Sequence, residues 1–448
     1  MRLLDLTPEL FAHVIHELVA EVGICDSFRY RRVCKLFAAE IFRNVVQTCP
    51  VYAFHTEVEP PRRSYLRSVD TPGQRFQRLF SVHGHVIMQQ RLLGPHKFQS
   101  RVAKCLDDVF EAILLLEGSG SSEIRRSYAH DIGTAVLSSL KKNACWAMTQ
   151  DNLKTFSADE FYQSSENSPR LFLPVAAAAV GSLSLFQQII SCDDDILNQP
   201  WPFHSPLSAA VANCHLEVIK HILQLYTKRL ARLHAEGVMS GEIHLRQTVH
   251  HAVMDGIDAC QPDATALVFA WVLENKGGPI YERLRRSFLV IMRCCINHRQ
   301  PQIAYSAVTL FSNEGEPTFP ESLKGYLLEK DDGSVLRHFY QAGLLDIGIF
   351  QHAPLVAGVL PPVGQCLFDM ILQLGANIDD LFPDTLTGKS LLWHAVDSGN
   401  EQRVRFLLEH GADPDASTGD GSPLQVAKGH GQQSIVDTLL RAKELRNK

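Results

Sequence analysis

Apolar and polar positions between Ser390 and Leu440 follow a pattern that occurs twice. Ser390-Leu-Leu-Trp-His-Ala-Val-Asp-Ser-Gly399 leads to an apolar cluster at Val404, Phe406, Leu407 and Leu408, then to Gly411-Ala-Asp-Pro-Asp415. The second copy opens at Ser422-Pro-Leu-Gln-Val-Ala-Lys-Gly-His-Gly431 and continues through Ile435, Val436, Leu439 and Leu440. Serine recurs from 390 to 422 and glycine from 399 to 431, a period of 32 residues. A period of this size, with two short amphipathic helices per unit, predicts stacked helical hairpins that bury their apolar sides on one another.

The residue types fit that reading. The Ser422 hydroxyl can cap a helix, and Pro423 stands at a first helical position where no N–H is needed. Ala395 and Ala427 let the first helix approach its neighbours. Gly399 and Gly431 suit the left-handed turn that ends this helix. The apolar clusters that follow are the buried stripe of a second helix.

These units resemble the ankyrin repeat, whose pattern runs Thr-Pro-Leu-His, two Ala, Gly-His, Val, Leu-Leu, Gly-Ala-Asp. Ser205-Pro-Leu-Ser-Ala-Ala-Val-Ala-Asn-Cys-His-Leu-Glu-Val-Ile-Lys-His-Ile-Leu223 matches it almost throughout, with Cys214 in the glycine's place and a second helix expected to run past Tyr226 towards Leu233. Pro354-Leu-Val-Ala357 with Phe368, Ile371, Leu372 and Gly375-Ala-Asn-Ile-Asp379 is a further unit. Weaker ones lie at His250–Leu273, Phe288–Phe311 and Ser334–Gly343. The last unit lacks Gly-Ala-Asp after Leu440 and ends in Lys443, Glu444, Arg446 and Lys448, as a solvent-facing cap requires. Trp393 takes the place of the motif's His and is expected in the core.

The N-terminal residues form a separate module. Thr7-Pro8-Glu9 predicts a helix start, Leu10, Phe11, Val14, Ile15, Leu18 and Val22 its apolar stripe, and Gly23 its end. A short helix through Phe28 to Val33 and a third with Leu36, Phe37, Ile41 and Phe42 follow. Leu6-Thr-Pro-Glu-Leu10 and Tyr30-Arg-Arg-Val-Cys-Lys-Leu-Phe37 resemble an F-box, with the proline displaced to Pro8 and Tyr30 in place of the usual Leu. The resemblance implies docking of a Skp-type adaptor of a cullin–RING ubiquitin ligase through Leu6, Pro8, Leu10, Ile15, Val33 and Phe37. The same helices would equally cap the first face of a solenoid.

Between these regions, Glu59-Pro-Pro-Arg-Arg63 and Asp70-Thr-Pro-Gly73 read as loops. Val102, Leu106, Val109, Phe110, Ile113 and Leu114 form one helical stripe, and Ile124, Tyr128, Ile132, Val136 and Leu140 another, joined by Gly118-Ser-Gly-Ser-Ser122. The expected fold is all-α: an F-box-like module at 1–48, a helical linker region with degenerate repeats at 49–165, and an ankyrin-type solenoid at 166–448, clearest near 172–223 and 354–440.

Composition narrows the function. At 45% hydrophobic and 21% charged the chain is ordinary for a globular protein, and a net charge of −6 argues against a dedicated nucleic-acid binder. Eleven scattered Cys without a Cys-x-x-Cys pair read as reduced thiols, which places the protein in the cytoplasm or nucleus. Asp5, Glu9 and Glu17 interrupt the apolar run that a signal peptide needs. Leu171 to Cys192 carries no charge, yet Pro174, Ser182, Ser184, Gln187 and Gln188 punctuate it, so it reads as a buried helix pair and no membrane span.

Chemistry-bearing motifs are weak. His83, His85 and His96, then His250 and His251, then Cys294, Cys295 and His298 lack the paired spacing of a zinc site. The glycine-rich connector lacks the Gly-Lys-Ser/Thr of a phosphate loop, and no Gly-x-Ser-x-Gly or His-Glu-x-x-His occurs. The expectation is a non-catalytic adaptor without cofactor or metal. A target protein would be held by hairpin tips at Gln199–His204, Leu381–Asp384 and Ser417–Asp420, with Trp201, Phe203, Phe382, Asp384 and Asp420 as candidate contacts. The alternative is an ankyrin scaffold acting as a transcriptional co-regulator that holds a transcription factor.

Overall fold

The computed structural model describes residues 6–48, 72–94, 98, 100–118, 120–141, 144–149, 169–190, 202–236, 240–311, 317, 319–331, 333–345, 378–379, 389–416 and 421–446. Helices are the regular elements among them, and the fold is the all-α, ankyrin-type stack of helical hairpins that the periodicity predicts. The chain forms two compact units, Met1–Leu284 and Arg285–Lys448. That division falls inside the stretch 166–448, which the sequence reads as one solenoid.

The first unit opens with a small helical module: α1 (Pro8–Val22), α2 (Ile24–Ser27), a 3₁₀ turn (Phe28–Arg32), α3 (Lys35–Arg43) and a π turn (Asn44–Thr48). Pro8 stands at the start of α1 with Thr7 before it in extended conformation. Gly23 ends the helix at φ 84°, a value that only glycine adopts without strain. Phe11, Ile15 and Val19 recur one turn apart and face Ile24, Phe37, Ile41 and Val45 in a closed miniature core. The Phe11 and Phe37 rings meet edge to face at 5.4 Å.

Helix α4 (Pro72–Leu93) packs against this module and against the helix at Ser122–Leu140. The buried Arg91 Nη2 donates to the Val45 carbonyl at 3.2 Å, tying α4 to the π turn. Helices α5 (Arg101–Glu117) and α6 (Ser122–Leu140) form the expected pair, each capped by a serine hydroxyl, Ser100 and Ser121, that accepts a backbone N–H of its first turn. Helix α7 (Ala144–Thr149) closes the group, and α6 packs directly on the first repeats.

Three hairpins follow in this unit: α8 (Leu173–Val180) with α9 (Leu183–Ile189), α10 (Pro206–Ala212) with α11 (Leu216–Glu236), and α12 (Ser240–Asp258) with α13 (Pro262–Glu274). First helices pack on first helices and second on second. The uncharged stretch from Leu171 is thus two short helices broken at Gly181, and no described helix is long and apolar enough to cross a membrane. Helix α11 runs on beyond Tyr226 to Glu236, which lets Trp271 Nε1 of α13 donate to Thr227 Oγ1 at 2.9 Å. Helix α14 (Pro279–Arg286) carries the last residues of this unit and the first of the next.

In the second unit, α15 (Phe288–Asn297) and α16 (Pro301–Phe311) pack on α17 (Glu321–Lys330) and α18 (Ser334–Gln341) in the same row-on-row manner. The clear repeats are α19 (Leu391–Asp397) with α20 (Glu401–Glu409) and α21 (Pro423–Gly429) with α22 (Gln433–Arg446). Ser422 and Gln425 form a reciprocal capping box. Trp393 is buried, as its motif position implies. The Asp379 carboxylate accepts the Asp413 N–H at 2.9 Å, linking the turns of successive units, and Lys443 and Arg446 of α22 pair with Asp415 and Asp413. The unit expected at 354–379 lies outside the described residues apart from Ile378 and Asp379.

Candidate protein-interaction surface

The hairpins share one backbone device. Each first helix of a well-formed repeat ends in a residue at positive φ: Gly181 (75°), Cys214 (60°), Cys260 (57°), Arg299 (56°), Gly399 (69°) and Gly431 (68°). The same two hydrogen bonds close most of these turns. Cys214 N reaches Val211 O and His215 N reaches Ala210 O; the pairs at Cys260, Arg299, Gly399 and Gly431 follow suit. Glycine is therefore lost at three of these turns while the turn is kept. This explains why the middle repeats are faint in the sequence.

Side chains then lock neighbouring units. Asn213 Nδ2 donates to the carbonyls of Asp131 (2.8 Å) and Ala179 (2.9 Å), joining α6, the first repeat and the second. The His215 ring lies 2.7 Å from Ala179 O and fills the space where a Cβ on Gly181 would stand. His204, before α10, holds Asp255 of α12 at 2.7 Å. The His251 ring stacks on His204 with centroids 4.3 Å apart. Burial, with the like charges of His204 and His250 adding to it, pushes the His251 imidazole down to about 3, and burial raises the Asp255 carboxyl above its usual range.

The predicted site residues divide by burial. On the N-terminal module, Leu10 (55% exposed) and Val33 (61%) face solvent, Pro8 is exposed and Leu6 half-buried. Ile15 and Phe37 are buried in the module's own core and could not touch a partner directly. Val14, Tyr30 and Leu36 are also exposed, so the apolar stripe of α1 is covered along one edge, at Phe11, Ile15 and Val19, and open at Leu10 and Val14. A stripe of six apolar positions on a fifteen-residue helix carries no mark of which edge is covered.

Among the target-contact candidates, Phe203 is corrected: it is 3% exposed and its ring lies 6.2 Å from Phe172, so it packs between repeats. Its backbone neighbour His204 is the residue that grips the next unit. Trp201, Phe382, Asp384 and Asp420 lie outside the described residues.

Of the other chemical candidates, His96 lies outside the described residues, and several of the rest are held by packing. His83 sits edge-on to Phe42 at 5.1 Å, and His85 is edge-on to His130. Cys295 is buried, which pushes its thiol well above the usual range, away from thiolate reactivity. Among the described residues no group of three His, Cys, Asp or Glu converges as metal ligands.

Residues 364–448 match the family model for ankyrin repeats in three copies. The chain is 39% identical over 74 residues to the B-cell lymphoma 3 protein homolog of Mus musculus, a stretch that makes up 16% of each protein. It is 31% identical over 99 residues to the probable E3 ubiquitin-protein ligase XBOS34 of Oryza sativa subsp. japonica, 22% of this chain and 19% of that one. The chain thus spans less than a fifth of the length of these relatives. Residues 364–448 thus carry the ankyrin-repeat pattern.

Proposed function

We propose that this protein is a non-catalytic adaptor in which the repeats hold a target protein and the N-terminal module docks a Skp-type adaptor of a cullin–RING ubiquitin ligase. The observation that carries the reading is the module's exposed surface. Five large apolar side chains, Leu10, Val14, Tyr30, Val33 and Leu36, stand in solvent on a module that already has a closed core. Large apolar side chains left exposed at this density on a small module mark a surface that another protein covers. Ubiquitin transfer would be accelerated by proximity, with no reacting group supplied by this chain. The likeness to a protein named as a probable E3 ubiquitin-protein ligase supports this direction.

The test is co-precipitation from cells of wild-type chain and of a Leu10→Asp/Val33→Asp double variant. Wild type should bring down a Skp-type adaptor and the double variant should not, while both keep the same helical circular dichroism. Wild type that brings down no such adaptor refutes the ligase reading. A second reading, a scaffold that grips a transcription factor, is favoured by the acidic balance of −6, which suits contact with proteins over contact with DNA.

A further inference from the structure

The exposed surface of the N-terminal module is segregated by charge as well as apolar. Along α1, Leu10, Val14, Glu17 and Glu21 follow at spacings of four, three and four and so share one exposed stripe, with Glu9 beside Leu10. Helix α1 contains no Lys or Arg. The segment from Phe28 to Leu36 is the converse. Tyr30, Val33 and Leu36 are exposed among Arg31, Arg32 and Lys35, and the segment contains no Asp or Glu. The two segments belong to one small body whose core joins them through the Phe11–Phe37 contact.

None of Glu9, Glu17, Glu21, Arg32 or Lys35 has an ion pair among the described residues, and Arg31 lies over the Phe28 ring at 4.9 Å. The module therefore carries an acidic apolar stripe and a basic apolar stripe close in sequence, and these five charges make no ion pair among the described residues. Such a pair is complementary to itself. A two-fold axis lets the acidic stripe of one copy meet the basic stripe of the other, and the reverse pairing follows by symmetry. Apolar contact supplies most of the affinity in such an interface, while the charges set partner and orientation.

We infer that a second copy of this chain covers this surface, α1 of each protomer lying on the Tyr30–Leu36 segment of the other. The inference shares its exposed residues with the docking reading, so a second copy and an adaptor would compete for them, and the dimer is the state of the chain free of adaptor.

The experiment is sedimentation of the full-length chain across roughly 1–100 µM, where an interface of this modest size dissociates. Wild type is expected to pass from monomer to dimer over this range, and to shift towards monomer when salt is raised from about 0.05 to about 0.5 M. Glu17→Lys/Glu21→Lys and Arg32→Glu/Lys35→Glu should each weaken association at least ~10-fold. An equimolar mixture of the two variants should regain the dimer as a heterodimer, because each stripe again meets its opposite. Wild type that stays monomeric, a dimer insensitive to salt, variants that dimerise as well as wild type, or a mixture that stays monomeric would each overturn the proposal. The adaptor pull-down is a separate readout, so its failure and this one can be told apart.

Discussion

His204 Nδ1 lies 2.7 Å from Asp255 Oδ2 and joins the loop before α10 to the first helix of the next repeat. Asp255 is almost fully buried, and its other oxygen finds no hydrogen-bond partner among the described residues. Water does not solvate this carboxylate, so the histidine is its compensation. Replacing His204 by Ala leaves a buried acid unpaired and is expected to cost about 2–3 kcal/mol, against about 1 kcal/mol for His204→Ala when Asp255 is already Asn. Urea unfolding of the single and double variants measures the difference.

The stacked His251 gives the first unit an acid sensitivity. Its folded pKa of about 3 lies below that of an unfolded histidine, near 6.5. Below pH 6.5 the unfolded chain takes up a proton that the folded chain refuses, so stability falls as pH drops from about 6.5 towards 3. His250, lowered chiefly by burial, acts in the same sense. Asp131 and Asp255, both raised by burial, act in the opposite sense. The expected net effect is a loss of about 1–2 kcal/mol between pH 7 and pH 5, reduced in His251→Gln, read from urea midpoints at the two pH values.

The turn residues predict opposite signs for two substitutions. Cys214 sits at φ 60°, where a side chain is strained, so Cys214→Gly should raise stability by about 0.5–1 kcal/mol. At the matching position of the preceding repeat, Gly181→Ala adds a Cβ within 2.3 Å of the His215 ring at φ 75°. That change should cost about 2 kcal/mol or more. Thermal melting of the two variants checks both directions.

Asn213 donates to two carbonyls in two neighbouring elements. Asn213→Ala strands both acceptors and should cost about 1–3 kcal/mol. Amide exchange would locate the loosening: protection should fall around Asp131 and Ala179.

Burial also separates the predicted docking residues. Ile15→Asp places a charge in the module core and should cost at least about 3 kcal/mol, melting α1 to α3. Leu10→Asp on the exposed stripe should change stability by less than about 0.5 kcal/mol. Near-ultraviolet circular dichroism and proteolysis of the N-terminal region distinguish the two.

The spacing of Ser390, Gly399, Ser422 and Gly431 determined the helical hairpin and its stacking, because cap, left-handed turn and apolar stripe are local requirements of one short unit. It likewise marked Thr7, Pro8 and Gly23 as the ends of α1. Local rules fail where a tertiary contact does the same work by other means. Cys214, Cys260 and Arg299 hold the left-handed turn without glycine because the packed neighbouring helices over-determine it. The tertiary structure alone decided that Phe203 turns inward onto Phe172 and that His204 meets Asp255, 51 positions on. It also decided which edge of the α1 stripe stays in water. Such partners are brought together by the docking of one hairpin on another, and a local pattern carries no signal of distances that stacking creates.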